Sequence, residues 1–223
     1  MANKGKYYES QFEEATIELL REAHWQYTLG DDIHRKYTDP LIEEDLRNFL
    51  AVQYKDKNLT TSEMDSIVAN LRNTGGQNDY YALRNAFLLY RDGYDFAYSD
   101  GRDNPFRLEY IDFEHPDHNI FRCVNQFVME QGRENRRPDI LLFINGIPVC
   151  IIELKNPTKQ NATIHDAHTQ ICTRYMRDIP ALLKYCALAV ISDGAKNALG
   201  TTYTPFEFFY EWKKIENEDK AGK

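Results

Sequence analysis

Residues 137–155, reading RPDILLFINGIPVCIIELK, constrain the fold more than any other stretch of the chain. Two apolar runs, Ile140 to Ile144 and Ile147 to Ile152, flank Asn145-Gly146. Asn-Gly between hydrophobic runs is the strongest short-range signal for a two-residue hairpin. Both runs are apolar at nearly every position, so the two strands are expected to be buried on both faces, inside a sheet. Charge enters only at the open end, where Asp139 precedes the first strand and Glu153 and Lys155 leave the second. Two carboxylates and an ammonium at the rim of a dry sheet are poor packing groups.

Glu153 and Lys155 lie two apart on one strand and share a face, while Leu154 points away. A hard cation such as Mg²⁺ is held by one or two carboxylates together with water and phosphate oxygens. Asp139 and Glu153 supply those carboxylates here, and the Leu154 carbonyl is a candidate further ligand. A bound metal lowers the pKa of its water and stabilises charge on a phosphoryl oxygen. Lys155 beside it can orient that water or neutralise the developing anion. The inferred chemistry is metal-assisted hydrolysis of a phosphodiester. A regular Asn-Gly hairpin with a straight ladder works against it. There Asp139 faces Ile152, and directly opposed residues share a face, so Asp139 and Glu153 point to opposite sides. The two acids converge only if the register slips by one residue. A bulge or a three-residue loop does this, and Pro148, which lacks a ladder donor, favours such an irregularity.

The rest of the chain supplies layers for this hairpin. Phe12, Ala15, Leu19, Leu20 and Ala23 recur at helical spacing and predict a helix over 9–23, with Ser10 and Glu13 as a capping box. Trp25 to Tyr27 reads as a short extended piece, and Asp39-Pro40 as the start of a second helix. Thr60 with Glu63 caps a third helix that stops at Gly75-Gly76, and Tyr80 to Tyr90 forms a fourth, ended near Gly93. Residues 39–93 are thus a helical elaboration without a chemical motif. Phe106 to Phe113 and Asn119 to Met129 read as strands, Ala162 to Asp178 as a helix and Cys186 to Ser192 as a buried strand. Phe206 to Trp212 is a last aromatic strand or helix. The expected architecture is α/β, a single domain over 1–215 with its core at 9–23 and 106–212, followed by a polar tail at 216–223.

Bulk properties narrow the partners. With a net charge of −8, the chain lacks the basic field of a free-standing nucleic-acid binder, so DNA contact is local or shared with other domains. There is neither a bilayer-length apolar run nor a signal segment at Met1, which predicts a cytoplasmic protein without membrane contact. Cys123, Cys150, Cys172 and Cys186 form no CxxC pair and are expected to be reduced.

Pro138-Asp139 followed by Glu153-Leu154-Lys155 resembles the motif of PD-(D/E)XK nucleases. The surrounding words resemble something narrower, the amino-terminal nuclease domain of type I restriction enzyme R (motor) subunits. They are the hairpin itself with Asn156-Pro157, IPALLKY at 179–185, Val190 to Gly194, and Gly200-Thr201. The resemblance implies an αβββαβ restriction-endonuclease-like core, a mixed sheet flanked by helices, with one or two Mg²⁺ ions at the hairpin rim. It makes Asp139 and Glu153 the metal ligands and Lys155 the catalytic lysine. Glu13 falls at the family's first-helix glutamate, the alternative to its role as capping partner of Ser10. The family also carries Gln-x-x-x-Tyr on the helix after the lysine strand. Here Gln170 and Tyr175 are five apart, about 500° around an α-helix, and only a bulge returns them to one face. Both are carried as site residues on that condition. Arg137, Lys159, Arg174 and Arg177, with Arg133 and Arg136 nearby, are the candidate phosphate contacts. His165 and His168 read as surface or DNA-facing side chains rather than zinc ligands.

The implied function is cleavage of foreign, unmethylated double-stranded DNA, within a complex that includes the methylation (M) and specificity (S) subunits. The chain has no GxxxxGK[ST] loop, so ATP would act only through a motor region beyond it, which the acidic charge also favours. The competing expectations are a non-catalytic docking or assembly domain, and a stand-alone repair nuclease or junction resolvase of the same fold.

Overall fold

The computed structural model of the chain describes residues 3–155 and 163–212. Helix α1 (Asn3–Glu22) leads into strand β1 (Gln26–Leu29). Helices α2 (Glu43–Gln53), α3 (Thr61–Asn73) and α4 (Asp79–Asp92) follow, then strands β2 (Tyr94–Phe96) and β3 (Phe106–Leu108). Next come β4 (Phe121–Asn125), the small hairpin β5 (Met129–Gln131) and β6 (Glu134–Arg136), and the long hairpin β7 (Ile140–Ile144) and β8 (Ile147–Leu154). A helical segment, α5 (Ile164–Thr169), a π-helical turn over Gln170–Tyr175 and α6 (Met176–Asp178), runs on into α7 (Pro180–Leu183). The described chain closes with β9 (Leu188–Ser192), β10 (Asn197–Gly200) and β11 (Tyr210–Glu211).

Among the described residues the central sheet has seven strands, in the order β1-β4-β7-β8-β9-β10-β11. It is mixed. β1 runs parallel to β4 and β8 parallel to β9, while β4, β7 and β8 alternate in direction. The hairpin occupies the middle, as its uninterrupted apolar runs require: Ile140, Leu141, Phe143 and Ile151 are fully buried. Ile17 of α1, with Phe12 and Leu20 beside it, covers one face against Cys123, Ile140, Ile152 and Leu154. Ala167, Ile171 and Tyr175 cover the other against Val124, Leu141 and Ile151. The result is an α/β fold with a mixed central sheet flanked by helices.

The helical elaboration forms its own apolar cluster around Leu46, Leu50, Ile67, Leu71 and Tyr110, and it reaches the sheet through Ile147 and Tyr185. It is fastened to the hairpin turn. The Ile42 N–H donates to the Gly146 carbonyl at 2.9 Å. Gly146 has φ +75°, and a Cβ there would lie 2.1 Å from the Ile42 carbonyl oxygen, so conformation and close approach both require glycine.

Several local expectations are corrected. Helix α1 begins at Asn3, so Ser10 is interior to it and cannot cap it. Its buried stripe is Phe12, Ile17 and Leu20, while Leu19 is 67% exposed. Helix α2 starts at Glu43 rather than at Asp39-Pro40, because the Asp39 carboxylate accepts the Leu41 N–H and closes a turn there. Only Phe106–Leu108 of the 106–113 stretch is a strand, and it pairs with β2 outside the central sheet. The 119–129 stretch breaks at Gln126, whose φ is +56°, into β4 and β5. The short extended piece read at Trp25 to Tyr27 is strand β1 at the edge of the sheet, and β10 adds a strand where none was expected. The aromatic segment 206–212 divides into one 3₁₀ turn and β11. The Thr60–Glu63 capping box and the Gly93 stop, at φ +66°, are present as read. All four cysteines are free. No helix among the described residues is long and apolar enough to cross a membrane. Lys159 and the polar tail lie outside the described residues.

Candidate active site

The site is built on an irregularity in the hairpin. Ile144 pairs with Ile147 and Phe143 with Pro148 across the two-residue turn, but Leu142 then pairs with Cys150. Val149 is the extra residue of this bulge, and it slips the ladder by one. Ile140 therefore faces Ile152, and Asp139 and Glu153 are the next positions outward on a common face. That face is the one covered by α5 and the π turn, since Leu141 and Ile151, two residues inward on each strand, pack there.

Glu153 is fully buried. Its Oε1 accepts from the Lys155 Nζ at 2.7 Å, and its Oε2 from the Tyr175 hydroxyl at 3.3 Å. Burial and the negative charge of Asp139 push its carboxyl up to about 8, against the opposing pull of Lys155. Asp139 is half-buried and accepts the Leu154 N–H on Oδ2 at 2.8 Å, which ties the two strands at the rim. The Lys155 N–H donates to the Ser192 carbonyl at 2.8 Å, so β9 holds the strand end in place as well.

Gln170 and Tyr175 join the cluster because the helix bulges. The two residues bound the π-helical stretch, in which hydrogen bonds span five residues instead of four. The extra residue returns both side chains to one face. Gln170 Nε2 donates to the Tyr175 hydroxyl at 2.7 Å, and Gln170 Oε1 accepts from the Lys155 Nζ at 2.9 Å. Burial drives the Tyr175 phenol far above its ordinary range, so it remains a neutral donor. Glu153, Lys155, Gln170 and Tyr175 thus form one hydrogen-bonded network, with the Asp139 charge acting on Glu153 beside it.

Glu13 reaches the same rim from the opposite face. Its carboxylate accepts from Asn125 Nδ2 at 2.8 Å and from Gln126 Nε2 at 2.9 Å. The Gln126 N–H in turn donates to the Asp139 carbonyl at 3.3 Å. This pairing takes the place of the capping box with Ser10. Asn125 and Gln126 were not singled out in the sequence. The available signal was a polar pair at the end of strand β4, directly after Cys123-Val124, whereas the left-handed backbone at Gln126 leaves no local mark.

The basic residues divide. Arg136 and Arg177 both bind the buried Asp178 at 2.6 to 2.7 Å, and Arg136 also pairs with Glu134. Arg133, Arg137 and Arg174 are exposed. His168 Nε2 lies 2.9 Å from the Thr204 carbonyl and packs edge-on to Phe206 and Phe209, while His165 is exposed.

A family described as "Type I restriction enzyme R protein N terminus" matches residues 6–208. The chain is 29% identical over 225 residues to the HindI type I restriction enzyme endonuclease subunit of Haemophilus influenzae, covering 96% of this chain and 21% of that protein. It is 30% identical to the putative MjaIXP endonuclease subunit of Methanocaldococcus jannaschii, over 93% of this chain and 20% of that protein. With the EcoprrI endonuclease subunit of Escherichia coli it shares 31% identity, over 56% of this chain and 40% of that protein. The chain spans about a fifth of the first two relatives. It belongs to the family of type I restriction enzyme R protein N-terminal regions.

Proposed function

We propose that the chain is the Mg²⁺-dependent endonuclease part of a type I restriction R subunit, with a PD-(D/E)XK core forming one nuclease unit over 1–215. The observation that carries this is the bulged register that brings Asp139 and Glu153 to one face beside Lys155. The donor set fits a hard cation. Two carboxylates are close enough for the charge of one to raise the other's pKa, an arrangement that an oxygen-preferring divalent ion relieves. Asp139, Glu153 and the Leu154 carbonyl would hold the ion. When bound, it supplies electrophilic assistance to a phosphodiester and a more acidic water.

The chain's own groups do the rest. Gln170 and Glu153 fix the Lys155 ammonium from two sides, which positions its charge for a phosphoryl oxygen or the attacking water. Tyr175 holds Glu153 and Gln170 in one orientation through its single hydroxyl. Arg137 and Arg174, exposed near the site, and Lys159 would contact the DNA backbone; Arg177 would do so only by sharing its guanidinium with Asp178. Glu13 would act on a metal-bound water only by turning away from Gln126. The acidic chain leaves most DNA binding, and all ATP use, to the motor region and to the methylation and specificity subunits.

The test is a complex assembled with an Asp139→Asn R subunit. It should retain ATP hydrolysis on unmethylated DNA and lose double-strand cleavage by about a thousandfold or more, several kcal/mol of barrier. Cleavage at the wild-type rate would remove Asp139 from the site.

A further inference from the structure

A second cluster of metal-binding side chains lies at the other end of the hairpin. Asp112, His115 and His118 occupy the loop between β3 and β4, and their donor atoms all fall within 4.8 Å of one another. His118 Nδ1 is 3.0 Å and His115 Nδ1 3.5 Å from the same oxygen, Asp112 Oδ2. The two imidazoles are stacked, with centroids 4.9 Å apart and 19° between planes, so both Nδ1 atoms face one point.

Hydrogen bonding alone accounts poorly for this geometry. Asp112 is buried, and its Oδ1 already accepts the N–H groups of Glu114 and His115. Oδ2 accepts from Gln53 Nε2 at 3.0 Å before either histidine is counted. With His118 Nδ1, four hydrogen-bond donors fill a carboxylate of about four lone-pair sites, while His115 Nδ1 faces Oδ2 from 3.5 Å, too far for a hydrogen bond of its own. A cation bound to Oδ2 and to both deprotonated Nδ1 atoms would engage both rings. The two oxygen-to-nitrogen separations bracket the edge of about 3.3 Å that tetrahedral ligands at ~2.0–2.1 Å from zinc make. Gln53 would then be the outer partner that orients the carboxylate.

We propose that Asp112, His115 and His118 form a site for Zn²⁺ or a similar late first-row divalent ion, with a fourth position left to water. Two imidazoles and one carboxylate suit such an ion and not Mg²⁺. The fourth position is open because the histidine side chains are 60% and 51% exposed. The site is separate from the hairpin rim. Asn119 links its loop to the hairpin turn, since its amide donates to the Asp112 carbonyl at 2.7 Å while its Oδ1 accepts from Asn145 Nδ2 at 2.8 Å. Asp139 is five residues along β7 from that turn, about 17 Å. Bound zinc would therefore clamp the 112–119 loop onto the turn that anchors the hairpin, without entering the nuclease chemistry.

The test is zinc titration of the metal-stripped chain, prepared without a polyhistidine tag. One equivalent should bind to the wild type, to Asp139→Asn/Glu153→Gln and to His165→Asn/His168→Asn, with a tenfold excess of Mg²⁺ unable to displace it. In His115→Asn/His118→Asn, whose amides preserve donors toward Asp112, affinity should fall at least a hundredfold. No binding to the wild type, unchanged binding in the His115/His118 variant, or loss in either control variant would overturn the site. Zinc-edge X-ray absorption on the loaded wild type needs no variant. It should show two imidazole nitrogens among four ligands, and a spectrum without imidazole scattering overturns the site equally.

Discussion

The Gln170 amide donates to the Tyr175 hydroxyl at 2.7 Å, across five residues that an α-helix would place on different faces. The π turn reconciles the spacing with the site. Its extra residue is absorbed locally, and the α-helical turns on either side keep their phase. Removing one exposed residue from the turn should therefore leave a regular helix with glutamine and tyrosine four apart. Deletion of Thr173 is expected to fold with a melting temperature close to wild type and to retain cleavage in the assembled complex. Loss of the helix by circular dichroism would show that the turn is required for folding.

Tyr175 is buried and serves two partners through one oxygen. Tyr175→Phe leaves the Gln170 amide and Glu153 Oε2 each one partner short in a dry environment. The expected cost is about 1–3 kcal/mol of stability by chemical denaturation. Cleavage should fall as well, because Gln170 would no longer be held against Lys155. Unchanged stability would mean that water replaces the hydroxyl.

The raised carboxyl of Glu153 sets a pH dependence for the metal-free chain. Its ordinary value is 4.5 and its folded value about 8. Below 4.5 both folded and unfolded chains carry the proton, and no penalty exists. Between these values the unfolded chain ionises while the folded one does not, so stability falls as pH rises; above about 8 the loss is complete. In EDTA, Glu153→Gln should gain stability relative to wild type from pH 5 to pH 8 in thermal melts. A constant difference between the two over this range would contradict the assignment.

Much of this site was legible because its signals are local. Asn145-Gly146 and the apolar runs around it defined the hairpin, and the need for Asp139 and Glu153 to meet required the slip now seen at Val149. The Gln170–Tyr175 spacing was readable as a conflict, though not its resolution. What escaped depends on contacts remote in sequence. Glu13 has a nearby capping candidate in Ser10, yet its carboxylate is held by Asn125 and Gln126, more than a hundred residues on. Phe106 to Phe113 has strand composition, but most of it packs against the helical elaboration instead of pairing in the sheet. Asp112, His115 and His118 stand out only once the loop folds and their rings face one oxygen.

The assignment of Glu153 as a metal-binding carboxylate is tested most directly by DNA cleavage in a complex assembled with a Glu153→Gln R subunit. The substitution keeps the shape of the side chain and removes its charge. The expected result is ATP hydrolysis at the wild-type rate with double-strand cleavage lost. Cleavage that persists at the wild-type rate would contradict the nuclease site described for this hairpin.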